Sequence, residues 1–151
     1  MEYEFTFVDS SLVICRSIGV ASVRGFIGSA DALTSDPRWR PGMDTISDHT
    51  LLDASQFKAS DIEQIANRES EYSDEIGQGR AAIVVGPDSP TRYGLVRMFE
   101  AYIEPLAEMK IRAFWTFDEA LAWMRGPDFS LPTELGGKRD QRTPAAKTES
   151  T

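Results

Sequence analysis

Residues that build disulfides and metal sites are scarce in this sequence, which has one cysteine and one histidine among 151 residues. A disulfide within the chain needs two cysteines and a thiolate metal site needs several, so both are excluded. No apolar run approaches the roughly 20 residues that span a bilayer, and the acidic start Met1-Glu2-Tyr3-Glu4 differs from a basic signal sequence. We therefore expect a cytoplasmic protein without a metal or other cofactor and without membrane insertion.

The chain is also short of positive charge. It has 16 lysine and arginine residues and 24 aspartate and glutamate residues, which gives a net charge of −8. Residues 126–151 hold 4 basic and 4 acidic residues, so residues 1–125 hold 12 and 20 and carry the whole net charge. Because affinity for nucleic acid comes mainly from lysine and arginine displacing counterions from phosphates, nucleic-acid binding is not expected.

Composition divides the chain into a body and a tail. With 41% hydrophobic residues and 10% aromatic residues, the chain can bury one continuous core. After Arg125 the sequence becomes rich in glycine, proline, threonine, serine and lysine. Apolar residues there are too sparse to offset the entropy lost on ordering. We predict one domain over residues 1–125 and a disordered tail over residues 126–151.

The first half of the body predicts a hairpin, a helix and a third strand. Alternation over residues 2–7 is typical of a strand with one buried face, and the apolar run of residues 12–15 is typical of a fully covered strand. Helical spacing of apolar residues over 20–30 predicts a helix that Gly25 and Gly28 weaken. The third strand is placed at residues 43–48, with residues 50–54 as the competing register.

The second half alternates helices and strands, and each boundary has a local signal. Ser60 with Glu63 forms a capping box, and Ser89 before Pro90 forms a cap with proline at the first helical position. A third cap, Thr116 with Glu119, begins the last helix. The order ββαβαβαβα predicts an α/β fold with about five strands, mostly parallel, an N-terminal antiparallel hairpin and helices on the faces.

Several stretches carry a family resemblance: Asp36-Pro37-Arg38-Trp39-Arg40-Pro41-Gly42-Met43, the strand ending at Asp48, Tyr93-Gly94-Leu95-Val96-Arg97-Met98-Phe99, and Phe117-Asp118-Glu119-Ala120-Leu121-Ala122-Trp123. Over most of residues 1–125 the chain resembles the SpoIIAA-like family of small bacterial proteins, which is related to the STAS domains of anti-anti-sigma factors. The resemblance implies a five-stranded sheet flanked by helices. It also implies a non-catalytic binding or regulatory module rather than an enzyme.

The resemblance singles out Ser60. The regulatory relatives place a phosphorylatable serine at the start of the second helix, within an Asp-Ser-Ser-Gly-like stretch, where this chain has Lys58-Ala59-Ser60-Asp61. A helix N-terminus favours a phosphate, but Asp61 and Glu63 in the same turn oppose one. Ser60 is therefore interpreted as a plain N-cap, with a phosphorylation site as the alternative.

Ligands of open α/β sheets bind outside the carboxyl ends of the parallel strands. The loops predicted at that edge supply the candidate ligand-binding residues, which are Asp48, His49, Asp53, Ser89, Arg92 and Trp115. His49 between two carboxylates suits proton transfer, but a single histidine hydrogen-bonded at a strand end is the simpler interpretation. Ser89 and Arg92 at a helix start suit an anion, although a turn and a helix cap account for Ser89.

Aromatic residues crowd the second half of the body and are interpreted mainly as core, with an apolar pocket or groove as the alternative. Trp39, between Arg38 and Arg40 in a loop that looks exposed, is the candidate contact for a protein partner. The leading hypothesis is a regulatory module that binds a protein or a small ligand at the carboxyl edge of the sheet. A carrier of a small apolar or lipid-like ligand is the alternative, followed by an enzyme that uses Asp48, His49 and Asp53.

Overall fold

A computed structural model describes residues 1–87 and 89–133 of the chain. Its strands are β1 (Glu2–Phe7), β2 (Leu12–Val20), β3 (Asp44–Asp53), β4 (Arg80–Val84) and β5 (Lys110–Phe114). Its helices are α1 (Val23–Ser35), α2 (Ala59–Ser70), α3 (Ser73–Ile76), α4 (Pro90–Ile103) and α5 (Phe117–Arg125). None of these helices combines the length and the apolar character that crossing a membrane requires.

The five strands form one sheet in the order β1-β2-β3-β4-β5. β1 pairs antiparallel with β2, and every other pairing is parallel. The predicted α/β class, the N-terminal hairpin and the edge position of the first strand are therefore confirmed. The two registers that competed for the third strand belong to a single strand, since β3 runs through both.

A bulge interrupts the pairing of β2 with β3. Arg16 pairs with Asp48 and Ile18 pairs with Leu51, so β3 advances three residues while β2 advances two. The additional residue lies in the part of β3 that holds His49 and Thr50. Bulges change the direction of side chains and often lie next to functional sites.

The two faces of the sheet are packed differently. Under α5 the buried side chains form one cluster, which consists of Leu12, Ile14, Ile46, Ala82, Val84, Phe117, Ala120, Leu121 and Met124. Under α1, α2 and α4 they form two clusters, one of Ile62, Ile65, Ala66, Phe99 and Ile103 and the other of Val13, Trp39 and Met43. The core on the second face is therefore divided.

The start of α2 differs from the predicted capping box. The helix begins at Ala59, and the Asp61 carboxylate accepts a hydrogen bond from the Lys58 backbone N–H at 2.9 Å. Ser60 lies inside the first turn and is exposed. The prediction that Ser60 is the N-cap is wrong: the cap lies two residues earlier, at Lys58, and Asp61 supplies the carboxylate that was assigned to Glu63.

The chain after α5 continues to contact the domain. Phe129 and Leu131 pack against the cluster under α5, beyond the boundary predicted at residue 125. Residues 134–151, most of the predicted tail, lie outside the described residues.

Thr116 caps α5 as predicted. Its hydroxyl accepts from the Glu119 backbone N–H at 3.2 Å, and the Glu119 carboxylate accepts from the Thr116 backbone N–H at 3.0 Å. We expect Thr116→Ala to lower the free energy of unfolding by about 1 kcal/mol, as loss of an N-cap usually does. Urea denaturation measures this change, and Thr116→Ser is the control that keeps the hydroxyl. An equal loss in both variants would contradict the capping role.

Candidate functional site

A cavity of about 180 Å³ lies between the sheet and helices α1, α2 and α4. We call it the helix-face cavity. Its walls are mostly apolar and come from all five strands and the three helices, with Phe5, Phe26, Leu33, Trp39, Ile65, Ile83, Leu95 and Phe99 among them. The cavity touches members of both apolar clusters on this face and accounts for the division between them.

Small side chains on the central strands create this space. Cys15 on β2 pairs with Ser47 on β3, and Thr45 and Ser17 lie along the same face of the sheet. A buried sheet face normally carries larger aliphatic residues that fill the space to the helices. The helix above is equally unusual, because none of the 13 residues of α1 is buried. Its inward residues, such as Phe26 and Leu33, border the cavity and are only partly covered by the sheet.

Glu69 brings a carboxyl group to the apolar wall of the cavity. It lies on the inner side of α2, one turn after Ile65, and burial raises its pKa to about 7. Among residues 1–87 and 89–133, no group donates a hydrogen bond to this carboxyl or forms an ion pair with it. An unpaired carboxyl in an apolar site keeps its proton to unusually high pH, because the charged form is poorly solvated.

The thiol of Cys15 faces the same region of the cavity. Burial, with a smaller contribution from the nearby Glu69, raises the pKa of this thiol to about 12. Since the thiolate is the reactive form of cysteine, Cys15 is an inert apolar wall residue at neutral pH.

His49 also lines the cavity. It follows Ser47 by two residues on β3, which places it roughly 7 Å further along the strand. Its ring meets Phe26 edge-on at 5.2 Å between centroids, and its buried Nδ1 atom has no hydrogen-bond partner within the residues that the structure describes. Burial lowers the pKa of His49 to about 4, and Arg92 adds to this while Asp48 opposes it. The imidazole is therefore neutral at pH 7.

Arg92 reaches the cavity from the first turn of α4. Its Nε donates to the Val85 carbonyl and its Nη1 donates to the Leu52 carbonyl, each at 2.7 Å. Burial lowers the pKa of this guanidinium, and the charge of Asp53 counteracts the effect. Arg92 thus ties the ends of β3 and β4 together, which gives it a structural role whether or not a ligand is present.

A second depression, the carboxyl-edge pocket, lies on the α5 face and has a volume of about 240 Å³. Its wall consists of Arg16, Ser17, Ile18, Asp48, Thr50, Leu51, Val84, Pro87, Trp115, Thr116 and Phe117. Arg16 is buried and lies 3.8 Å from the Asp48 carboxylate. Trp115 stacks on Tyr93 with 4.3 Å between ring centroids. This pocket is more polar than the helix-face cavity.

The six predicted ligand-binding residues do not share one site. Asp48 and Trp115 line the carboxyl-edge pocket, whereas His49 and Arg92 line the helix-face cavity. The separation follows from the alternation of a strand, which directs neighbouring residues such as Asp48 and His49 to opposite faces. Asp53 and Ser89 line neither site; the Asp53 carboxylate accepts from the Ser55 N–H and the Ser89 hydroxyl caps α4.

The prediction that Trp39 is exposed and available to a partner is wrong. Trp39 is only 6% exposed, and its ring packs with Val13 and Met43. Its indole Nε1–H donates to the Glu75 carbonyl at 2.8 Å, which satisfies the polar atom inside the protein. The proline-bounded loop therefore turns the indole inward, toward the helix-face cavity.

Sequence reasoning missed Glu69, although a signal for it exists. Ile62, Ile65, Ala66 and Glu69 follow the spacing of one helix face, so Glu69 continues an apolar stripe. A glutamate at such a position is unusual and indicates either a buried partner or a ligand site.

No three histidine, cysteine, aspartate or glutamate side chains come together as a metal site within the residues that the structure describes. Phosphorylation of the exposed Ser60 stays the alternative prediction for this residue, and the resemblance to the SpoIIAA-like family stays a prediction from the sequence. The chain matches no protein-family model and has no significant match among curated proteins.

Proposed function

We propose that this chain is a binding module for a small, largely apolar molecule, which occupies the helix-face cavity. One observation carries the proposal: α1 covers an apolar cavity of about 180 Å³ without burying any of its own residues. A protein core is normally filled to the density of an organic crystal, so a space of this size is a feature that needs an explanation.

The volume sets the size of the ligand. An apolar cavity of roughly 150 Å³ stays dry and accepts benzene. A space of about 180 Å³ therefore suits a molecule with one aromatic ring or a short alkyl chain. The aromatic and aliphatic side chains around it supply the contacts that such a body requires.

A bound ligand would also complete the packing of α1. Gly25 and Gly28 weaken this helix intrinsically, and its inward residues Phe26 and Leu33 are only half-buried. Filling the cavity gives these side chains additional apolar neighbours. Binding should therefore slow backbone hydrogen exchange in α1 more than in α5, which packs on the other face.

The test uses ethylbenzene as a neutral probe and Ser47→Leu as the variant. Ser47 lies on the central strand at the cavity wall, so leucine places an isobutyl group in the space that the probe would use. We expect the affinity measured by titration calorimetry to fall by about tenfold or more. Val20→Leu adds bulk to an exposed residue of β2 and should leave the affinity unchanged.

Two results would overturn the proposal. One is that the wild-type chain fails to bind ethylbenzene or similar single-ring hydrocarbons at any concentration that dissolves. The other is that Ser47→Leu, checked by circular dichroism to be folded, binds ethylbenzene as tightly as the wild type does.

A polar small molecule in the carboxyl-edge pocket is the second candidate, and it keeps two of the six residues predicted from the sequence, Asp48 and Trp115. The buried Arg16 beside Asp48, with the indole of Trp115 on the same wall, favours it. Amide chemical-shift changes on ligand addition distinguish the two sites. Changes centred on Thr50 and Trp115 would indicate the carboxyl-edge pocket, and changes centred on Ser47 and α1 would indicate the helix-face cavity.

A further inference from the structure

The charged groups around the helix-face cavity are distributed unevenly, and Glu69 is the single carboxylate on the described wall. It belongs to the part of the cavity near Cys15, whose thiol it influences electrostatically. No arginine, lysine or histidine pairs with it in the described parts of the chain, and no backbone N–H donates to it. Glu69 is half-buried on an otherwise apolar cavity wall, so its carboxyl is open to the cavity and can accept a hydrogen bond from a group that binds there.

The two wall residues that can carry a positive charge, His49 and Arg92, do not require a ligand of opposite charge. Arg92 already donates from Nε and Nη1 to two backbone carbonyls and feels the charge of Asp53. His49 is held neutral by burial. Within residues 1–87 and 89–133, an anionic ligand would therefore find no free cation beside Glu69, and the carboxylate would repel it. A cationic ligand would gain a charge-assisted hydrogen bond.

The field of the whole chain acts in the same direction. Residues 1–125 carry 12 basic and 20 acidic residues, which gives this part a net charge of −8. An acidic surface raises the local concentration of cations and lowers that of anions. Long-range attraction and the local hydrogen bond thus select the same charge.

We infer that the helix-face cavity binds a protonated amine with a single-ring or short-chain apolar body, with the ammonium group on the Glu69 carboxylate. This inference rests on the proposed function, because it assigns a ligand class to the same cavity. The apolar body fills the space under α1, and the ammonium donates to Glu69.

Three probes of similar size and different charge test the ligand class: 2-phenylethylamine as the cation, 2-phenylethanol as the neutral analogue and phenylacetate as the anion. Titration calorimetry with the full chain at pH 8 should give the tightest binding for the amine and the weakest for the carboxylate. Glu69→Gln should lower the affinity for the amine by about tenfold or more, the size expected for a charge-assisted hydrogen bond. It should change the affinity for the alcohol by less than about twofold.

Glu63→Gln is the matched control, since Glu63 lies on the exposed side of the same helix and its substitution changes the net charge equally. An equal loss of amine affinity in both variants would show that only the net charge matters and that Glu69 makes no direct contact with the amine. This result would overturn the inference. Binding of the alcohol as tight as that of the amine in the wild type would overturn it without using any variant. In both cases alcohol binding would leave the proposed function standing, whereas failure of all three probes would remove the proposed function as well.

Discussion

Replacing Gly79 by alanine is expected to destabilise the folded chain by about 3 kcal/mol, at the upper end of the range for overpacking. A Cβ atom at Gly79 would lie 2.2 Å from the Met43 carbonyl oxygen and 3.0 Å from the Gly42 carbonyl oxygen. Both atoms belong to the backbone and cannot rotate away, so the whole segment before β4 would have to move. Urea denaturation at neutral pH measures the loss.

Gly94→Ala is the matched control for this prediction. Gly94 lies within α4, where an added Cβ meets no atom of the described residues within 4 Å apart from its own helix backbone and chain neighbours. Alanine is the better helix former by about 1 kcal/mol, so this variant should be more stable than the wild type. The same chemical change should thus have opposite signs at the two positions. A neutral or stabilising result for Gly79→Ala would show that the two backbone segments do not approach so closely.

The close approach at Gly79 also bears on the site. The segment around Gly79 lies against the backbone of residues 41–43, and the Gly42 N–H donates to the Ile76 carbonyl at 2.8 Å. Trp39 donates to the neighbouring Glu75 carbonyl, and both Trp39 and Ile76 line the helix-face cavity. Movement of this segment should therefore disturb one end of the cavity together with the stability of the fold.

Much of the architecture could be predicted because its signals are local. Thr116 and Glu119 are three residues apart, and a capping box between them can be read without knowing what surrounds it. The same is true of Ser89 before Pro90, and both caps are confirmed. The order of strands and helices then leaves few topologies, and the one with a hairpin followed by parallel strands is observed.

The candidate site depends on information that is not local. Whether Asp48 or His49 faces the cavity is decided by the register of β3. This strand contains a bulge for which the sequence has no local signal. The orientation of Trp39 depends on the contacts with Val13 and Met43 from other parts of the chain. A cavity is a difference between the volume that the backbone encloses and the volume that side chains fill, and neither volume can be read from one segment.

Glu69→Gln is expected to become more stabilising, relative to the wild type, as the pH rises. Burial raises the pKa of Glu69 from its ordinary value of 4.5 to about 7. Between these values the unfolded chain releases the proton while the folded chain keeps it, so the wild type loses stability as the pH rises from 4.5 through 7. The difference in unfolding free energy between variant and wild type should therefore grow by about 3 kcal/mol from pH 4.5 to pH 8.

His49 acts in the opposite direction. Burial lowers its pKa from 6.5 to about 4. Between these pH values the unfolded chain binds a proton at His49 and the folded chain does not. The wild type therefore loses stability as the pH falls from 6.5 through 4. His49→Phe keeps a ring against Phe26 and removes the titrating group. The unfolding free energy of the variant, relative to that of the wild type, should therefore rise by about 3 kcal/mol as the pH falls from 6.5 to 4.

The two shifts overlap between pH 4.5 and 6.5, where their contributions have opposite slopes of similar size. Urea denaturation at intervals between pH 4 and 8 should show that these two groups nearly cancel in the wild type, and that each single variant restores the slope of the group that remains. The double variant should lose both slopes. If either single variant differs from the wild type by a constant free energy at every pH, the substituted group is solvated in the folded chain. For Glu69 that outcome would also remove the reason for an ammonium partner, since a solvated carboxylate needs none.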